Sequence, residues 1–119
     1  MTDRVGELLL RLNKLDLDTW NMLHWNGFGE LLLDSGNYTP HSLRIDEYIL
    51  FGTIRDAAIA RDLWLGTSSV LKSYRNHVVI RKLDTSGSKS TYVLLGRASG
   101  ESLSEATLAA YVSALEAQK

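Results

Sequence analysis

Hydrophobic and polar positions along the chain follow two different periods. Apolar side chains between Val5 and Leu15 recur every three or four residues, which is the spacing of one helix face, and the same spacing returns between Leu108 and Leu115. By contrast, "HVVIRKL" (77–83) and "STYVLLGR" (90–97) are short runs rich in β-branched and aromatic residues, which are typical of strands. These periods predict a chain that mixes helices with hairpin-connected strands.

Turn and capping residues set the predicted boundaries of these elements. Ser102 and Glu105 form a capping box for a last helix. Gly66 can end a long central helix. The elements predicted in chain order are a helix up to Leu15, strands at 18–26 and 30–35, a helix at 42–65, strands at 68–74, 77–83 and 90–97, and a helix after Ser102.

The predicted order of elements is α-β-β-α-β-β-β-α. The strand cores "LLL" (31–33), "VVI" (78–80) and "YVLL" (92–95) are continuous apolar runs, which are typical of a sheet buried on both faces. We therefore predict an α+β fold in three α/β/α layers, with a five-stranded antiparallel sheet, one helix on one face and two on the other. The 119 residues are enough for a single domain of this kind, spanning 1–119.

The predicted central helix has two apolar faces rather than one. At about 100° per residue, Leu50, Ile54 and Ala58 fall in one arc, and further apolar residues fall in a second arc on the opposite side. A helix that lies on a sheet buries one face, so the second arc needs another cover. A partner subunit would supply this cover, and loops of the same chain are the alternative. The second arc contains Ile45, Tyr48, Ile49, Gly52, Ile59, Ala60 and Leu63, and the charged residues Arg44, Arg55 and Asp62 lie along one border between the arcs.

The balance of charge and the lack of cysteine limit the classes of function. Thirteen basic residues against fourteen acidic residues give a net charge of −1, so no basic field favours nucleic acid or an anionic membrane. Without cysteine the chain has no disulfide, no thiolate metal site and no thiol nucleophile. It also lacks an unbroken apolar stretch of about 18 residues and a signal-peptide pattern, so we predict a cytoplasmic location.

Sequence motifs for catalysis or metal binding are weak. "SVLK" (69–72) has the serine-x-x-lysine spacing of penicillin-recognising enzymes, but it lies in a predicted strand and its companion motifs are missing. "TSGSKST" (85–91) lacks the glycine and lysine spacing of a phosphate loop. The histidines His24, His41 and His77 lack the i, i+4 spacing of metal ligands. We therefore predict no enzyme activity, no metal and no cofactor.

Acidic and aromatic residues outside these motifs have a functional and a structural interpretation. A pair of carboxylates could act as general acid and base, but solvated surface charges are the favoured interpretation for Asp16, Asp18, Asp34, Asp46 and Glu47. Indole rings could stack on bases, but packing in the core or in an interface is favoured for Trp20, Trp25 and Trp64.

Three segments together resemble the roadblock family. They are the glycine turn and apolar strand "NGFGELLLDSG" (26–36), the alanine-containing central helix, and the hairpin "HVVIRKLDTSGSKSTYVLLGR" (77–97). The family includes dynein light chains of the roadblock type and bacterial and archaeal regulators of Ras-like GTPases. The resemblance extends over nearly the whole chain and lies in pattern. It implies a profilin- or roadblock-like fold and a homodimer in which the central helices pack together and the strand at 69–74 pairs with its copy.

The function implied by this resemblance is that of a non-enzymatic regulatory or scaffolding subunit. Its partners would be a second copy of the chain and a small Ras-like GTPase. Two alternatives stay open: a small-ligand sensory module of the PAS or profilin kind, and a dimeric secretion chaperone. The predicted dimer interface comprises Ile45, Tyr48, Ile49, Gly52, Ile59, Leu63, Val70 and Lys72, and the predicted GTPase contacts are Arg44, Arg55 and Asp62.

Overall fold

The computed structural model describes residues 4–23, 40–70, 75–85, 87–100 and 102–118. Within these residues the chain is an α+β arrangement of four helices and one three-stranded antiparallel sheet. The elements in chain order are α1 (Arg4–Leu15), α2 (Leu17–Leu23), α3 (Pro40–Ala60), β1 (Leu63–Val70), β2 (Arg75–Asp84), β3 (Thr91–Gly100) and α4 (Leu103–Ala117).

The sheet has the strand order β1-β2-β3 and contains a β-bulge in β3. Ile80 pairs with Gly96, but the next residue of β2, Arg81, pairs with Leu94, so Leu95 is an extra residue between the two pairs. Residues two positions apart in a strand normally share a face. The bulge breaks this rule and places Leu94 on the face opposite to Gly96.

The helix α4 covers the face of the sheet on which Gly96 lies. Its start is capped by Ser102, whose side-chain oxygen accepts a hydrogen bond from the backbone N–H of Glu105 at 3.1 Å. The helix packs against β2 and β3 on one side and against α1 and α3 on others. More than half of its circumference is therefore apolar or buried, which is typical of a central helix. The buried residues are Ser104, Ala106, Thr107, Leu108, Ala110, Tyr111, Val112, Ala114 and Leu115.

The helices α1 and α3 each bury one apolar stripe in the same core. Leu8 and Leu12 on α1, and Ile54 and Ala58 on α3, are almost fully buried. Val78 of β2, on the face of the sheet that α4 covers, joins them. The core thus lies on one side of the sheet only, among the elements that the structure describes.

The predicted five-stranded sheet and the order α-β-β-α-β-β-β-α are wrong. The segment 18–26, predicted as the first strand, forms α2 up to Leu23 instead. Its alternating pattern also fits a helix, since Thr19 and Leu23 lie four residues apart and are both buried. The predicted turn at 26–29 and the predicted strand at 30–35 lie outside the described residues. The α/β/α layering is wrong as well, because the described helices cover one face of a three-stranded sheet.

The predicted central helix ends earlier than expected. Asp62 has a φ of 61°, a left-handed conformation that stops a helix, and β1 begins at the next residue. Gly66, predicted as the end of the helix, lies inside β1. The strand predicted at 68–74 is displaced accordingly and runs from Leu63 to Val70.

The carboxyl-terminal half of the prediction is confirmed in its element types. The strands predicted at 77–83 and 90–97 correspond to β2 and β3, each slightly longer than expected. The last helix begins after Ser102, with the hydrogen bond that the capping box predicts.

We expect Gly96→Ala to lower the free energy of unfolding by about 2–3 kcal/mol, the cost of overpacking a tight contact. A Cβ at this position would lie 2.5 Å from the carbonyl oxygen of Ala110 and 2.8 Å from the backbone nitrogen of Ala114. Chemical denaturation measures the change. Gly87→Ala is the matched control, because the nearest atom to its Cβ would be 3.8 Å away. Equal stability of the two variants would contradict this packing.

Candidate functional site

The junction between α1 and α2 is built around Asp16, which is only 4% exposed. Its backbone N–H donates to the carbonyl oxygen of Leu12 at 2.8 Å, and its carbonyl oxygen accepts from the N–H of Trp20 at 3.1 Å. Its side-chain Oδ1 also accepts from the N–H of Thr19 at 3.3 Å, the hydrogen bond of a helix cap. One residue thus ends α1 and begins α2.

Three side chains from other parts of the fold converge on the Asp16 carboxylate. The Tyr111 hydroxyl of α4 donates to Oδ2 at 2.7 Å, and the Thr19 hydroxyl donates to the same oxygen. Nη2 of Arg61, from the turn between α3 and β1, lies 2.8 Å from Oδ1. These four residues, here called the Asp16 cluster, connect the α1–α2 junction with α4 and with the end of α3.

The pKa values of the Asp16 cluster follow from this geometry. Burial raises the pKa of the Asp16 carboxyl, but hydrogen bonds from Thr19, Tyr111 and Arg61 lower it by more, so the net pKa lies below its ordinary value of 3.8. Burial, followed by the hydrogen bond to Asp16, raises the pKa of Tyr111 to about 12. The hydrogen bond to Asp16 also raises the pKa of Arg61. At neutral pH the cluster therefore holds a carboxylate, a guanidinium and a neutral phenol.

Chemically, the Asp16 cluster is suited to holding helices together. Asp16, Thr19 and Tyr111 are each more than nine-tenths buried, so a substrate would have to open the core to reach their oxygen atoms. Their hydrogen-bonding groups are directed at one another, with Thr19 Oγ1 and the Tyr111 hydroxyl 3.3 Å apart. A buried carboxylate is stable only with such partners, so the cluster fixes the relative positions of three segments.

The sequence did not predict this cluster. Asp16 was expected to be a solvated surface charge, and that expectation is wrong, whereas Asp18 is exposed as expected. Thr19, Arg61 and Tyr111 carried no functional prediction. The available signal was Asp16 itself, since aspartate is a preferred residue at the N-cap of a helix.

The other residues that the sequence analysis considered for catalysis or metal binding are not brought together in the described part of the structure. Ser69 lies in β1, and Lys72, its partner in the serine-x-x-lysine spacing, lies outside the described residues. His77 is half-buried in β2, and His24 lies outside the described residues. Among the described side chains, no group of three or more histidine, aspartate or glutamate residues has the geometry of a metal site.

The helix α3 has an exposed apolar surface on the side away from the core. Tyr48 is 78% exposed, Ile59 is 59% exposed and Ile49 is 47% exposed, and all three belong to the predicted second arc. A Cβ added at Gly52 would have no atom within 4 Å, so the helix backbone is accessible there. We call Tyr48, Ile49, Gly52 and Ile59 the α3 surface.

The remaining residues of the predicted dimer interface either lie in the core or have side chains that the structure does not describe. Leu63 is 3% exposed and packs into the chain's own core. Ala60, which belongs to the predicted second arc but not to the predicted interface, is exposed at the end of α3. Ile45 lies in α3 and Val70 in β1, but their side chains are outside the described part, as is Lys72 entirely.

The predicted border charges do not all lie on α3, since Asp62 follows the end of the helix. Arg55 is exposed and lies 3.6 Å from the carboxylate of its neighbour Asp56. Asp62 lies in the turn after α3, where its conformation ends the helix. Arg44 lies in α3, with a side chain that the structure does not describe.

A second exposed apolar surface lies on the face of the sheet opposite α4. Trp64 pairs with Arg81, which pairs with Leu94, and Leu83 pairs with Tyr92 in the next row. Trp64 is 48% exposed and Tyr92 is 61% exposed. We call Trp64, Arg81, Leu83, Tyr92 and Leu94 the outer sheet face. The sequence had placed Trp64 on a helix, so this surface was not predicted.

The indole of Trp64 is held in place by three neighbours. A Cβ at Gly66 would lie 2.9 Å from two atoms of the indole, so the ring extends over this glycine. The guanidinium carbon of Arg81 lies 5.4 Å from the ring centroid, a cation–π distance. The Tyr92 ring is 6.1 Å away, centroid to centroid. The exposed indole is therefore held in one position by contacts within its own chain.

Comparison of this chain with protein-family models, with curated proteins and with solved structures finds no match. The resemblance to the roadblock family therefore stays a prediction. Among the described residues, no helix is both long enough and apolar enough to span a membrane.

Replacing Asp16 with Asn should lower the free energy of unfolding at neutral pH by about 1–3 kcal/mol, because hydrogen bonds to a charged group are lost. Since the pKa of Asp16 is lower in the folded chain, its stabilisation is present above pH 3.8 and disappears as the pH falls through the folded-state pKa. The difference between wild type and variant should therefore shrink in acid. Chemical denaturation from pH 7 to pH 2 measures it.

The control for this variant is Asp18→Asn, two residues away on the exposed side of α2. It removes the same charge without touching the cluster and should have a much smaller effect. A difference between wild type and Asp16→Asn that stays constant from pH 7 to pH 2 would contradict the arrangement.

Proposed function

We propose that this protein is a non-enzymatic regulatory or scaffolding subunit that forms a homodimer through the α3 surface. The observation that supports the proposal is the exposure of Tyr48, Ile49 and Ile59 on a helix whose opposite side is buried. Exposed apolar residues on one side of a helix are a feature of protein–protein contacts. The exposed Asp56, whose carboxylate lies 3.6 Å from Arg55, lies on the same side of α3.

The energetics of the α3 surface favour a symmetric contact. Burying the exposed part of each of its three large side chains gains about 1 kcal/mol, and a two-fold axis doubles the number of side chains buried. Gly52 lies among them, and the open space at its Cβ position would let two helix backbones approach closely. The contact would then resemble the packing of small residues between adjacent helices.

The chemistry of the chain supports a role in binding rather than in catalysis. In the Asp16 cluster, the ionisable groups Asp16 and Tyr111 are buried and directed inward, and the partly exposed Arg61 is paired with Asp16. The exposed apolar groups, by contrast, offer contacts and no reactive atoms. We therefore place the function in the surfaces of the chain.

A small Ras-like GTPase is the narrower form of the proposal. It rests on the resemblance of the sequence to roadblock proteins, and the described fold lacks the five-stranded sheet that the resemblance implied. Of the residues predicted to contact a GTPase, Arg55 is the exposed one on α3 with a described side chain.

Light scattering behind a sizing column should give about twice the 13.3 kDa chain mass. Ile59→Glu should shift the protein to the monomer mass, since a buried unpaired charge costs several kcal/mol. Leu10→Glu is the matched control, because Leu10 is 55% exposed on α1, away from the α3 surface. A monomeric wild type at tens of micromolar, or equal loss of dimer in both variants, would rule out this interface.

Calorimetric titration with a Ras-like GTPase tests the narrower form. Because the switch loops of these proteins change with the nucleotide, a regulator should bind the GDP and GTP-analogue forms with different affinity. Arg55→Glu should weaken binding and change its salt dependence more than it changes dimer mass. A folded dimer that binds neither form would count against a GTPase partner and leave the scaffolding proposal in place.

A further inference from the structure

The ionisable side chains of the sheet face opposite α4 all have the same sign. The pairing register places Arg81 in the middle of the outer sheet face, with Arg97 and His77 on the same side of the sheet beyond it. Among the described residues, no aspartate or glutamate shares this face, and none forms an ion pair with Arg81 or Arg97. The face is thus apolar at one end, basic at the other, and has one arginine between its aromatic rings and leucines.

This distribution of charge argues against a second copy of the chain as the molecule that binds to the outer sheet face. A two-fold contact centred on this face would bring Arg81, which lies in its middle, close to its own copy. Like charges placed opposite each other in an interface weaken it and are used in proteins to reject partners. The molecule that binds to this face should therefore carry carboxylates.

The width of the sheet indicates the kind of element that fits. Three strands about 4.8 Å apart span roughly 10 Å, close to the diameter of one helix. The opposite face of this sheet demonstrates the fit, since the single helix α4 packs there on β2 and β3. One further helix would complete the layering by covering the exposed indole and leucines.

We propose that the outer sheet face binds an amphipathic helix of a partner protein, with acidic residues beside an apolar stripe. This inference rests on the proposed role of the chain as an interaction subunit, and it places the partner on a surface separate from the α3 surface. The apolar stripe of the helix packs on Trp64, Leu83 and Leu94. A carboxylate of the helix pairs with Arg81.

The position of Arg81 makes this pairing selective. Its guanidinium lies against the indole of Trp64 and is therefore partly desolvated and held in place. A planar guanidinium binds a carboxylate with two parallel hydrogen bonds, and the pair is stronger where water is excluded. An arriving helix excludes water by covering the aromatic rings on both sides. A basic helix with the same apolar stripe would be rejected.

The test uses two synthetic helical peptides of about 18 residues, roughly as long as a ten-residue strand. Both carry leucines along one face, flanked by glutamates in one peptide and by lysines in the other. Two-dimensional NMR of the full chain should show the glutamate peptide shifting the Trp64 indole N–H and the amides of β1 to β3. Its dissociation constant should be at least about tenfold lower than that of the lysine peptide.

Charge exchange makes the test specific to this face. Arg81→Glu should reverse the preference, so that the lysine peptide binds more tightly. Lys82→Glu is the matched control: it makes the same change at the next residue, which is exposed on the opposite side of the sheet, and should leave the preference unchanged. If Arg81→Glu fails to fold, Arg97→Glu takes its place, because Arg97 is at an exposed position. This variant should prefer the glutamate peptide over the lysine peptide less strongly than the wild type does.

Other occupants of the face would overturn the proposal in distinguishable ways. A single-stranded oligothymidine that binds there more tightly than the glutamate peptide, with steep salt dependence, would assign it to nucleic acid. Loss of dimer mass in Arg81→Glu would assign it to a second copy. Equal affinity for the two peptides, or no shifts at millimolar concentration, would also reject it. A monomer that binds the glutamate peptide would refute the dimer alone, whereas a dimer that binds neither peptide would refute this inference alone.

Discussion

A carboxylate removed from water is the constraint on which the described fold depends. Asp16 is buried and ionised, and a charge in that position is unfavourable unless hydrogen-bond donors surround it. Its donors come from α2, from the turn after α3 and from α4. The side chain is therefore satisfied only when segments far apart in sequence are assembled correctly. Apolar burial supplies the driving force for folding, but it is non-directional, and the Asp16 cluster adds the directional requirement.

The sequence predicted elements well where local signals agreed. Around β2, β3 and α4, the β-branched runs, the polar hairpin loop and the capping box at Ser102 all indicated the same boundaries. Local signals conflicted in 17–23, where seven residues with four apolar or aromatic positions fit a strand as well as a short helix. The cap that Asp16 forms with Thr19 is a local signal for the helix, whereas the contacts of the same carboxylate with Tyr111 and Arg61 are tertiary, and no local pattern contains them. The end of α3 was missed for a related reason: Gly66 is the usual residue for a helix end, but Asp62 takes the left-handed conformation.

The two exposed surfaces also differed in how well the sequence predicted them. The second arc of α3 could be found by counting residues around a helix, and Tyr48, Ile49 and Ile59 are indeed exposed in the single chain. The outer sheet face could not be found so, because it depends on the start of β1 at Leu63 and on the bulge that places Leu94 beside Arg81. Periodicity reports the faces of one element, whereas this surface is assembled from three strands in register.

The distribution of polar and apolar groups is relevant to the function of the molecule. Of the ionisable groups that meet most closely, Asp16 and Tyr111 are buried in the core, where they hold helices together, and Arg61 pairs with Asp16 from the surface. The aromatic and aliphatic groups at the surface lie on two rigid supports, a helix anchored by its buried stripe and a sheet anchored by α4. Rigid apolar surfaces lose little conformational entropy on binding, and this favours association. The two supports differ in charge, since Arg81 and Arg97 give the sheet face a sign that the α3 surface lacks. In the two proposals above, that difference would let the α3 surface pair with its own copy while the outer sheet face rejects one.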